Sequence, residues 1–137
     1  MRISVFRKAH FNAAHRLHSN SFNDSENQEI FGKCNRPNFH GHNYDLIVKL
    51  TGEIDPRTGY LMDLSILKGI INDQVVDYLD HRNLNLDIPE FKKINPTAEN
   101  IAIMIWKRIR PEIGDHIDVQ VRLYETERNF VEFPAGN

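Results

Sequence analysis

The chain has 137 residues, with 17 basic and 19 acidic side chains, for a net charge of −2. That length suits a single domain over 1–137 with its own core, but leaves little room for an active site enclosed in one subunit. Charges of both signs are mixed along the chain, which gives no nucleic-acid or membrane-surface signal, and no apolar run approaches a membrane span.

The opening MRISVFR is too short and too polar for a signal peptide. One cysteine excludes an intramolecular disulfide, so a reducing, cytoplasmic setting is expected. Residues 2–9 alternate, with Ile3, Val5 and Ala9 on one face and Ser4 and Lys8 on the other, which predicts a strand running on toward His15. Residues 18–38 are rich in Asn, Ser, Gly and acidic side chains, the composition of a loop long enough to be functional.

Residues 40–54 give the clearest strand: His40, His42, Tyr44, Leu46, Val48 and Leu50 share one parity. Two histidines one residue apart on a strand point the same way, so their imidazoles can converge on one ion. Gly41 removes a side chain that would crowd the opposite face. His15 offers a third imidazole, and three histidines with an open fourth position are a frequent protein share of a catalytic zinc site. With no second cysteine, a thiolate-rich structural zinc site is disfavoured. His18 competes with His15 for the third place, while His10 and His116 fall on or beside strands and read as structural.

DPRTG at 55–59 is a turn, followed by a short return strand at 60–62. Asp63 is the N-cap of a helix to about Leu79, with Leu67, Ile70, Ile71, Val75 and Tyr78 as its apolar stripe. Asn95-Pro96-Thr97 starts a second helix whose stripe is Ala98, Ile101, Ala102, Ile105 and Ile109, stopped by Pro111 and Gly114. Residues 116–126 alternate again, and 130–133 form a last strand. Strands, helices, then strands predict an α+β fold with an antiparallel sheet and helices on one face. Glu125 shares the parity of Ile117, Val119, Val121 and Leu123, so a carboxylate points where apolar neighbours point. Burying it is costly unless it is paired.

The strings AAHRL, CNRPNFHGHNY, LTGEIDPRTGYLMDL, LDHRNLN, NPTAENIAIMIW and LYET, in this order across nearly the whole chain, resemble the 6-pyruvoyl-tetrahydropterin synthase family. The family includes the 6-carboxy-tetrahydropterin synthases of queuosine biosynthesis. The resemblance implies a tunnelling fold, a four-stranded antiparallel sheet with two helices on one face, whose copies join side by side into a β-barrel as trimers or hexamers. It implies Zn2+ on His15, His40 and His42, with Cys34 as general base. Asp80 and His81 would partner that base, although a histidine at a helix C-terminus is also favoured by the helix dipole. Glu125 would anchor the pterin, relay protons, or both. Thr97 and Glu99 would add pterin contacts, which helix capping explains nearly as well.

The activity implied is a lyase acting on 7,8-dihydroneopterin triphosphate with loss of triphosphate. Five residues separate Cys34 from His40, as in pyruvoyl-forming members, whereas queuosine enzymes often have three. A 6-pyruvoyl-tetrahydropterin product is therefore expected, with the 6-carboxy product and acetaldehyde as the alternative. A branch with glutamate in place of the base cysteine, which cleaves the side chain as an aldolase does, is disfavoured by Cys34. A non-catalytic zinc or pterin-binding module is the rival of another class.

Overall fold

A computed structural model describes residues 1–136. Two long strands, β1 (Arg2–His15) and β2 (His40–Glu53), pair antiparallel along their full length, from Arg2 opposite Glu53 to His15 opposite His40. Alternation drives the pairing: Phe11, Ala13, Tyr44, Leu46, Val48 and Leu50 are buried on one face, and each such aliphatic or aromatic side chain contributes about 1.5–3 kcal/mol on burial. The other face carries Ser4, Phe6, Lys8 and His10 beside Asn43, Asp45, Ile47 and Lys49, exposed or half-buried.

Between these strands the expected loop is largely helical. Helix α1 (Asp24–Phe31) opens with a capping box, in which Asn23 accepts from the Glu26 N–H and Glu26 accepts from the Asn23 N–H. Asn27 is buried and ties the segment down. Its Nδ2 donates to the carbonyls of Ser19, Phe22 and Asn23, and its Oδ1 accepts from the Ser19 N–H. A 3-10 turn over Gly32–Asn35 then carries Cys34.

The 55–59 turn forms as expected, with Gly59 at φ 78° and its N–H donating to the Asp55 carbonyl at 2.8 Å. No strand follows at 60–62. That segment folds back on the turn, the Tyr60 carbonyl accepting from the Asp55 N–H at 2.8 Å, and so has no sheet partner.

Asp63 caps α2 (Leu64–Ile71) through the Ser65 N–H. The helical path widens into a π-turn over Asn72–Val76 before α3 (Asp77–Leu79). The wider turn shifts the stripe, so that Leu67, Ile71, Val75 and Leu79 are buried while Ile70 and Tyr78 are only half-buried.

The chain then forms β3 (Arg82–Asn83) and α4 (Leu84–Asp87). After a 3-10 turn at Pro89–Phe91, α5 (Ala98–Ile109) is capped by Thr97. Strands β4 (Asp118–Tyr124) and β5 (Phe130–Phe133) complete an order of β3-β1-β2-β4-β5. The sheet is thus five-stranded and mixed rather than four-stranded and antiparallel. The added strand is the two-residue β3, parallel to Ala13–Ala14 and too short to show a period. Helices α2 and α5 cover the apolar face, with Ile101, Ala102, Ile105 and Ile109 packed into the core.

Candidate active site

At one end of the β1–β2 ladder the apolar face changes from carbon to nitrogen. His15 and His40 are register partners, and His42 faces Ala13, whose small side chain leaves room for the imidazole. The three rings lie 4.5–5.1 Å apart between centroids, and one nitrogen from each falls within 4.8 Å of the others.

His15 is fully buried, and its Nδ1–H donates to the Pro96 carbonyl at 2.7 Å. That bond puts the proton on Nδ1 and leaves the Nε2 lone pair facing its neighbours. Nε2 of His15, both ring nitrogens of His40 and Nε2 of His42 are buried without a hydrogen-bond partner. A buried polar atom left unpaired costs about 1–3 kcal/mol, and four clustered in one place fit a cation acceptor. Burial pushes His15 down to about 4, the Pro96 bond opposing and the neighbouring histidines adding to the effect. Burial also lowers His40, with His42 next in effect. Neutral imidazoles keep the lone pairs a metal requires. His18 does not join: its Nδ1 lies 3.0 Å from Asn35 Nδ2 and its N–H donates to Asn95.

Glu125 follows the last residue of β4, its N–H donating to the Asn129 carbonyl, and it keeps the strand's parity. Its carboxylate lies 3.9 Å from His42 Nε2, too far for a hydrogen bond. Cys34 is half-buried. Burial pushes its thiol up, and the Glu125 carboxylate adds to this. Tyr44, stacked on Phe11 at 5.0 Å, lies beneath the same cluster with its hydroxyl buried and unpartnered. Burial, then Glu125 and Cys34, push that phenol well above the usual range. Cys34, Glu125, Tyr44 and the histidines therefore make one neighbourhood.

Asp80 and His81 are held instead by the Asn12 backbone, and the cavity beside His81 is also lined by His42. His81 Nδ1 is 2.9 Å from Asp80 Oδ2, Asp80 Oδ1 accepts from the Asn12 N–H, and the His81 N–H donates to the Asn12 carbonyl. The Asn12 bond, then His81, holds the Asp80 carboxyl below its ordinary range. The His81 ring is largely exposed beside a cavity of about 550 Å³ lined also by Asn12, Ala14 and Gly41. No hydrogen bond among the described residues joins His81 to Cys34. A Cβ on Gly41 would meet only the Ala13 carbonyl oxygen at 3.7 Å, an ordinary contact, so crowding does not require glycine there.

Thr97 spends its hydroxyl oxygen on the Asn100 N–H, and Glu99 is exposed in the first turn of α5. Three further features lay beyond the sequence patterns. Phe39, immediately before His40, sits at φ 67°, and His81 at φ 58°. Left-handed non-glycine residues of this kind cost about 1–3 kcal/mol and tend to mark functional sites. Asn12 holds both Asp80 and His81 with backbone atoms, which no side-chain pattern announces. The Tyr44 hydroxyl was placed by parity alone, with nothing to indicate that it would lack a partner.

The family described as 6-pyruvoyl tetrahydropterin synthase matches residues 4–135. The 6-pyruvoyl tetrahydrobiopterin synthase of Homo sapiens is 43% identical over 129 residues, covering 94% of this chain and 89% of that protein. The Dictyostelium discoideum protein of the same name is 42% identical over 131 residues, covering 96% and 95%. The structure of Caenorhabditis elegans 6-pyruvoyl tetrahydropterin synthase superposes with a TM-score of 0.92 at 40% identity, covering 99% of this chain and 97% of that one. Likeness over the full sheet and both flanking helices leaves one assignment: the chain belongs to the 6-pyruvoyl tetrahydropterin synthase family.

Proposed function

We propose that this chain is a 6-pyruvoyl-tetrahydropterin synthase, a lyase that converts 7,8-dihydroneopterin triphosphate to 6-pyruvoyl-tetrahydropterin and triphosphate. The observation that carries the proposal is the cluster of unpartnered histidine nitrogens beside Cys34 and Glu125, in a chain 43% identical to a named synthase. The conversion is internally balanced: loss of triphosphate leaves an enol that becomes one ketone and a terminal methyl, and the other carbinol becomes a ketone as the dihydro ring takes up its two electrons, so no outside redox partner is needed.

His15, His40 and His42 would hold Zn2+, which supplies Lewis-acid charge beside the substrate's hydroxyls. Glu125 accepts from the pterin 2-amino group and ring N–H, which keeps the reacting carbons in place. Cys34 takes and returns the side-chain protons. Its burial beside Glu125 favours the thiol, so its service as a base depends on positive charge nearby. Thr97, next to the Pro96 that orients His15, and Glu99 are the candidates for further pterin contacts.

Asp80 and His81 complete the proton path. Within one chain they are hydrogen-bonded to Asn12 and to each other rather than to Cys34, and the pair of one copy would serve the thiol of a neighbour. The sheet face opposite the helices, with Phe6, Ile47 and Tyr124, and the sheet's free edges support side-by-side association into a barrel of three or six chains. Among the described residues no helix is long and apolar enough to cross a membrane.

The test is product identification by mass spectrometry after incubation with 7,8-dihydroneopterin triphosphate. A product that retains the three-carbon side chain is expected. A 6-carboxy product with acetaldehyde would assign the queuosine-type reaction instead, and absence of turnover by zinc-loaded protein would leave a binding module.

A further inference from the structure

The turn that carries Cys34, Gly32–Asn35, buries none of its residues, so packing against the core does not hold it. Hydrogen bonds to the segment leaving β1 do. The Leu17 N–H donates to the Cys34 carbonyl at 2.8 Å, and Arg16 Nε donates to the Asn35 carbonyl at 2.8 Å. The Asn35 side chain runs the other way: its Nδ2 donates to the Leu17 carbonyl at 2.9 Å and lies 3.0 Å from Nδ1 of His18. A carbonyl can only accept, so the Leu17 contact fixes which end of the amide is Nδ2. His18 Nδ1 then accepts the second amide proton, and the ring carries its own proton on Nε2.

His18 is held from the other side as well. Its backbone N–H donates to Asn95 Oδ1 at 3.1 Å, and the Asn95 carbonyl accepts from the Thr97 N–H and from Asn100 Nδ2 at the start of α5. Asn95 precedes Pro96, whose carbonyl accepts from His15. One residue therefore joins two supports. Its ring braces the turn of Cys34, and its backbone meets the segment that orients His15. Hydrogen-bonded neighbours of this kind fix the orientation of a functional group without touching what the group acts on.

We infer that His18 and Asn35 are positioning residues that clasp the Cys34 turn to the end of β1, with the His18 ring as the acceptor that holds the Asn35 amide in place. The inference rests on the synthase proposal for what Cys34 does, and on the hydrogen bonds alone for what holds it. The backbone link to Asn95 survives a side-chain change at position 18, so removing the ring acts on the base and spares the histidine cluster.

The test uses zinc-loaded protein with His18→Leu, which removes the acceptor, and His18→Asn, whose Oδ1 takes the place of Nδ1. His18→Leu should lower kcat about 10-fold, since small misplacements of a reacting group are costly. KM should stay within about two-fold and zinc content should not change. Cys34 is the only cysteine, so its alkylation by iodoacetamide is read without turnover. That rate should rise at least about three-fold in His18→Leu as the half-buried thiol opens to solvent, and His18→Asn should recover both properties. Adding Asn35→Ala to His18→Leu should cost less than the two single losses combined, because both side chains act through one link. Unchanged kcat and alkylation in His18→Leu, a raised KM at constant kcat, or fully additive losses would overturn the clasp and leave the synthase proposal standing. A parent protein without turnover, whose alkylation still quickens in His18→Leu and recovers in His18→Asn, would keep the clasp and end the synthase proposal.

Discussion

Strand β2 serves two regions with one periodicity. At one end Leu46, Val48 and Leu50 point into the helices and are fully buried, every contact satisfied by carbon. At the other end His40, His42 and Tyr44 occupy the same face, and between them and His15 five polar atoms are buried with no partner. The backbone pairing with β1 is continuous across both regions. The first region lowers the free energy of the folded chain by itself, whereas the second raises it until something binds. The fold thus supplies the rigidity at one end that keeps unpaired nitrogens aligned at the other.

The comparison breaks most sharply at Cys34. Cys34→Ala should lower kcat by about 10²–10⁴, the usual contribution of a positioned proton-transfer group, while zinc content and pterin affinity stay unchanged. Loss of metal in this variant would make Cys34 a ligand and contradict its role as base.

Leu46→Ala tests the opposite region. It should destabilise the protein by about 2–5 kcal/mol through lost burial and a cavity, with metal stoichiometry intact in the folded fraction. Chemical denaturation with metal analysis on the same sample would check both.

Acid should separate the two regions, because only one of them titrates. The His15 pKa is about 4 in the folded protein against about 6.5 unfolded. Below 6.5 the unfolded chain takes up the proton first, so stability is whole above pH 6.5 and falls as pH drops from 6.5 toward 4. The full loss from this group is about 3 kcal/mol. His40, shifted the same way, adds to it. Asp80, held low by Asn12 and His81, adds a separate loss as pH falls through its own folded value, below the ordinary carboxylate range. Urea midpoints of metal-free protein at pH 7 and pH 4.5 should show this fall, and His15→Gln should flatten it. An unchanged slope in that variant would mean that the buried imidazole is not its source.

The smallest effect is expected at Tyr44. Tyr44→Phe removes an unpartnered buried hydroxyl, so the metal-free variant should be as stable as the parent or more so, by about 1 kcal/mol. A clear loss of stability would show that the hydroxyl has a partner in the folded chain.

The end of β2 that carries the histidines was legible in the sequence because period-two alternation continues from the leucines into His42 and His40. The same logic placed Glu125 correctly although the strand ends one residue earlier. Resemblance, not pattern, chose His15 over His18, and the Pro96 bond that orients His15 comes from a residue 81 positions away. Helix α1 was missed because its first six residues are polar and Ile30 and Phe31 alone make no apolar stripe, yet Asn23 and Glu26 spelled out its capping box. The return strand at 60–62 failed because the turn consumes its first carbonyl. The parallel strand β3 and the left-handed Phe39 and His81 depend on tertiary contacts that no local period encodes. The anchoring of Asp80 and His81 on the Asn12 backbone was equally hidden, since sequence order says nothing of which strand a distant loop will reach.

The central claim is that the nitrogen end of the sheet is a metal centre on which turnover depends. Metal analysis of the purified wild type and of His40→Ala, paired with turnover before and after chelation, tests it most directly. About one zinc per chain is expected in the wild type, with activity abolished by chelation and restored by zinc, and a sharp fall in both metal and turnover in His40→Ala. Full turnover by chelated, metal-free protein, or full metal and activity in His40→Ala, would contradict the account.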